Sequence, residues 1–128
     1  MSGLSERDGA AVCGAFVPGA LDSIDFPREG LGCADRVQRS LGYRDPRGLP
    51  VWRDSRLGGA ISAQVDGAAA RVTVTVITTY AGDREPSVED DLVYLARAGD
   101  GWLIVKPSAT IYRAIGVAEL PPGVISPP

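Results

Sequence analysis

A chain of 128 residues, 45% of them apolar and 23% charged, with a net charge of −3, amounts to one domain. It is long enough to bury roughly two-thirds of its unfolded surface and too apolar to be a disordered chain. The absence of histidine removes the commonest general base, the Ser/His and Cys/His nucleophile pairs and the usual ligand of zinc, copper or iron. No run of about eighteen apolar residues occurs, so no membrane insertion by this chain is expected, and the start MSGLSERDG has neither the charged head nor the apolar stretch of a signal peptide.

In chain order, Ser5 and Asp8 have the spacing of a capping box ahead of GAAVCGAFVPGALDSI, where Cys13, Val17, Leu21 and Ile24 recur at helical spacing. Pro18 interrupts that stripe, so the expectation is a short helix ending near Val17, then a second turn or helix opening on the proline. After FPREGLG, the apolar stripe Cys33, Val37 and Leu41, with Asp35, Arg36 and Arg39 turned outward, predicts an amphipathic helix ending near Gly42. YRDPRGLPVWRDSRLGG lacks a period and reads as loop, anchored by Val51 and Trp52.

The rest reads as strand. Ile61, Ala63 and Val65 alternate up to a turn at Asp66-Gly67; Val72, Val74 and Val76 alternate after it; Leu92, Tyr94 and Ala96 form the next alternating set. AGDG makes a tight hairpin into WLIVKPS, and a last short strand is expected from Thr110 to Ile115. The segments 1–7 and 117–128 are expected to be flexible ends of a single domain spanning 1–128. Helices followed by four to five antiparallel strands give an α+β fold, with the N-terminal helices packed on one face of a curved sheet.

DGAAARVTVTVITTYAGDREPSVEDDLVYLARAGDGWLIVKPSATIYRAIG resembles the C-terminal half of nuclear transport factor 2-like domains: a long strand after an Asp-Gly turn, a DDLVYLAR strand, a Gly-containing hairpin, then Trp-x-Ile. DGAAVCGAFVP and GCADRVQRSL look like the paired-cysteine helices of actinobacterial secreted or lipoprotein members, and the dominance of arginine, with Lys106 the single lysine, is the bias of a GC-rich genome. The resemblance implies a cone-like sheet, a disulfide between Cys13 and Cys33, and an extracytoplasmic or membrane-anchored full-length protein. Read from the residues alone, two buried thiols are the alternative to the bridge, and free thiols would suit a cytoplasmic protein. Members of this fold begin with a longer first helix, whereas only LSERD precedes the cysteine-bearing one here; either the start is truncated or a partner covers the sheet.

The fold hosts enzymes and binding modules alike. The resemblance implies a non-catalytic module for a small apolar ligand or a protein segment, with two alternatives: an enzyme of the polyketide-cyclase or ketosteroid-isomerase type using a cavity aspartate, or a self-associating homodimer. In DREPSVEDD, strand alternation separates Asp90 from Asp91, and Asp90, on the face of Leu92 and Tyr94, is the candidate cavity carboxylate. Tyr80, Tyr94 and Trp102 are the candidate ligand-binding rim, and Lys106 is expected to be a solvated charge. No metal or cofactor is expected, because two cysteines without histidine make no zinc site. Arg36, Arg39, Arg44, Arg47, Arg53 and Arg56 stand among Asp35, Asp45 and Asp54. In an acidic chain without a reader motif this stretch does not predict nucleic-acid binding; it reads as a solvated face, or as a contact complementary to DREPSVEDD.

Overall fold

The computed structural model describes residues 2–24, 32–41, 52–117 and 120–128. In chain order these form α1 (Ser2–Ser5), α2 (Gly9–Gly14), α3 (Cys33–Leu41), β1 (Trp52–Asp66), β2 (Ala69–Tyr80), β3 (Ser87–Ala98), β4 (Gly101–Ile104) and α4 (Ala109–Ala114). The strands make one antiparallel sheet in the order β1-β2-β3-β4, curled into a half-barrel. The fold is therefore α+β, as the order of elements predicted.

The first helices differ from expectation in their caps. Asp8, not Ser5, is the N-cap of α2, its carboxylate accepting from the Ala10 and Ala11 amides at 2.9 and 3.0 Å. Arg7 between the two helices has a positive φ of 56°, and the Ser5 hydroxyl is spent on Asp54 of β1 at 2.6 Å. α2 also stops before Val17, because its exit is recruited to the edge of β4: Ile104 donates to the Ala15 carbonyl (2.8 Å) and Val17 to the Ile104 carbonyl (2.9 Å).

The second amphipathic helix is where the period put it. Val37 and Leu41 are buried while Asp35 and Arg39 are exposed, and Arg36 reaches Asp22 at 3.1 Å. α2 crosses α3 at Gly9, whose amide donates to Gln38 Oε1 at 2.8 Å. A Cβ at Gly9 would stand 2.2 Å from the Ala34 carbonyl oxygen, so only glycine permits the approach. Beside this crossing the Sγ atoms of Cys13 and Cys33 are 2.10 Å apart, a disulfide.

Two further expectations are corrected. Residues 52–59, read as loop, are the first half of β1, with Trp52 buried opposite Tyr80. The glycines that suggested a loop serve a register shift between Leu57 and Ile61, where a Cβ on Gly58 would meet Ile77 Cγ1 at 2.7 Å. The proposed last strand, 110–115, is instead α4, burying Ile111, Tyr112 and Ala114. Val51 and the predicted helix end at Gly42 lie outside the described residues.

Each end segment contributes a side chain to the core. Leu4 and Val124 belong to the main apolar cluster with Val12, Phe16, Leu21, Ile24, Val37, Leu41, Trp52 and Ile111. Lys106 is not simply solvated: its ammonium donates to the Gly123 and Ser126 carbonyls, both at 2.7 Å, and so holds the C-terminal segment.

Candidate functional site: a cavity between sheet and helices

Directly opposed residues of paired strands share a face. The register therefore puts Leu57, Val74, Val76, Asp91 and Val93 on one side of the sheet, through the pairs Leu57–Val76, Val74–Asp91 and Val72–Val93. α1, α2 and α4 lie over that side and leave a cavity of about 300 Å³. Leu4, Val12, Phe16, Ile104 and Ile111 close it with the sheet valines, and its polar wall is Asp91, Ser108 and Thr110.

Asp91 is 3% exposed. Its Oδ1 accepts from the Leu92 amide at 2.9 Å and the Ala109 amide at 3.1 Å; its Oδ2 accepts from the Thr110 amide at 2.9 Å and the Thr110 hydroxyl at 2.6 Å. A carboxylate offers about four acceptor positions, and here four donors occupy them. Asp91 thus supplies the cap of α4 from another element. Ser108, at the N-cap position itself, makes no side-chain capping bond.

The expected carboxylate, Asp90, is on the other face. It is exposed, accepts a hydrogen bond from its cross-strand neighbour Thr75 at 2.8 Å, and is absent from the cavity wall. Both faces of β3 carry apolar side chains, Val93 and Leu95 on one and Leu92 and Tyr94 on the other, so alternation separated the two aspartates without showing which faced inward. Ser108 and Thr110 were missed with the helix that carries them; Pro107-Ser108 before ATIYRA is a readable helix start.

Tyr80, Tyr94 and Trp102 do not meet at one rim. Tyr80 is at the Ser87 end of β3, bonded to the Ser87 hydroxyl at 3.0 Å with the Arg84 guanidinium 3.9 Å over its ring. Trp102 pairs with Arg97 at the far end of that strand. Tyr94 is on the outer face, its hydroxyl donating to the Ile125 carbonyl at 3.0 Å, and lines a separate hollow of about 520 Å³ with Arg71, Ala96 and Pro127. Of the arginine-rich stretch, Arg53 and Arg56 are exposed on β1, while Arg44 and Arg47 lie outside the described residues. Among the described residues no group of three or more His, Cys, Asp or Glu could hold a metal ion, and no helix is long and apolar enough to cross a membrane.

No family model matches the chain, and no curated protein matches it. A solved structure does. The solution structure of a SEC-C motif containing protein from Rhodopseudomonas palustris is similar over 84% of this chain and 69% of that one, with a TM-score of 0.52 and 11% sequence identity. At that identity the likeness concerns the fold alone, the helices and curled sheet described above.

Proposed function

We propose that the chain is a non-catalytic binding module, nuclear transport factor 2-like in architecture, that holds a small apolar molecule between its sheet and its helices. The observation that carries this reading is the cavity itself: walls of valine, leucine, isoleucine and phenylalanine around an acid whose four acceptor positions are filled by α4 and its own strand. A cavity base for proton transfer needs a lone pair free to meet the substrate. Asp91 has none to spare, and Asp90 is on the wrong face.

The Cys13–Cys33 disulfide is compatible with an extracytoplasmic home, and we place the full-length protein there. The test is native mass spectrometry of protein isolated from its own host's envelope fraction, beside a Val74→Trp variant that fills the cavity from the sheet. The expected result is the mass deficit of a closed disulfide in both, with a co-purifying small molecule on the wild type alone. An empty wild type that also fails to take up a neutral apolar dye would overturn the proposal.

One observation favours self-association as a second reading. β1 is an edge strand whose residues 57–65 carry no charge, and Leu57, Ile61 and Val65 are 45%, 57% and 63% exposed. Edge strands without charge or proline invite pairing with another strand. Sedimentation of the wild type against Ile61→Lys decides it: a dimer abolished by the lysine supports the homodimer, and monomers throughout dismiss it.

A further inference from the structure

The cavity is apolar but has one unspent polar group, and that group narrows what it can hold. Ser108 is only 9% exposed and lines the cavity. Its hydroxyl caps nothing, because Asp91 has taken the first amides of α4, and among the described residues it has no hydrogen-bond partner. The side chain lines the cavity without its oxygen being sealed off, so the hydroxyl can donate to or accept from a molecule held there. Resting on the reading of this cavity as a ligand site, we infer that its ligand is a neutral, medium-chain molecule with a single hydroxyl or carbonyl group, bonded by Ser108, and that carboxylates are excluded by Asp91.

Three observations converge on that class. The volume, about 300 Å³, is at the small end of the range for ligand pockets, which suits a compact molecule of roughly eight carbons and one oxygen. The walls around Val74, Val76 and Ile104 offer nothing to a second polar group. Asp91, one residue from Ser108 through the Ala109 amide, is an acid with no lysine or arginine ion pair among the described residues. An anionic head beside Ser108 would therefore be desolvated next to a like charge, whereas a serine hydroxyl can donate to a ketone or exchange hydrogen bonds with an alcohol.

The experiment is equilibrium dialysis of 1-octanol, 2-octanone, octane and octanoate at neutral pH against the wild type, Ser108→Ala and Val74→Trp. Octanol and octanone are expected to bind about three- to ten-fold more tightly than octane, the worth of one neutral hydrogen bond, and octanoate at least tenfold more weakly than octanol. Ser108→Ala should bring octanol down to the level of octane while leaving the thermal midpoint unchanged, a result that a purely structural serine would not give. If octane or octanoate matches octanol on the wild type, or Ser108→Ala binds octanol unchanged, the head-group inference is wrong while the cavity reading stands. If the wild type retains none of these compounds, or Val74→Trp retains octanol as well as the wild type does, the cavity reading falls, and the inference with it.

Discussion

Asp91 of β3 holds Thr110 of α4 by two hydrogen bonds to one oxygen, from the Thr110 amide at 2.9 Å and the Thr110 hydroxyl at 2.6 Å. The contact joins residues nineteen apart in sequence and fixes the helix that closes one end of the cavity. Asp91→Ala strands the Ala109 and Thr110 donors in a buried site, and should cost about 3–5 kcal/mol in urea denaturation. Asp90→Ala removes only an exposed contact with Thr75 and should cost less than about 1 kcal/mol. Equal losses would refute the assignment of Asp91 as the anchor of α4.

Cys13 and Cys33 close a loop of 20 residues between α2 and α3. Replacing both by serine is expected to lower the unfolding free energy by about 3 kcal/mol in the chain-entropy account, and reductant should lower the wild-type denaturation midpoint to that of the double variant. A wild type indifferent to reductant contradicts this.

Gly9 is the point of closest approach between those helices. Gly9→Ala sets a methyl group on the Ala34 carbonyl and within 2.8 Å of the Gln38 amide nitrogen, and neither backbone atom can yield without separating the helices. The expected loss is about 2 kcal/mol, read from the thermal midpoint; Gly14→Ala, whose Cβ would meet nothing within 4 Å, is the matched control and should not destabilise.

Trp52 donates its indole N–H to the Ser55 hydroxyl at 2.9 Å, and Ser55 shares a hydrogen bond with Thr78 at 3.0 Å. All three side chains are buried, so Ser55→Ala leaves the indole N–H unpaired and should cost about 1–3 kcal/mol. Ser55→Thr, which keeps a hydroxyl, should recover part of that loss; equal destabilisation by both would show that packing, not the hydrogen bond, matters there.

Where the apolar period was sustained and one-sided, the sequence sufficed. Val37 and Leu41 against Asp35 and Arg39 define α3 because a helix buries one stripe whatever lies beneath it. The alternating valines of β2 and the turns at Asp66-Gly67 and Gly99-Asp100 likewise determine two hairpins, since turn chemistry and a period of two are local properties.

Only the tertiary structure decided the rest. Residues 109–114 are helical because Asp91, on a strand formed earlier in the chain, satisfies their first amides. Residues 52–59 are strand because β2 offers them a ladder and Gly58 can pass over Ile77. The inward choice between Asp90 and Asp91 follows from which face of β3 the helices cover, and with apolar residues on both faces no local pattern contains that information.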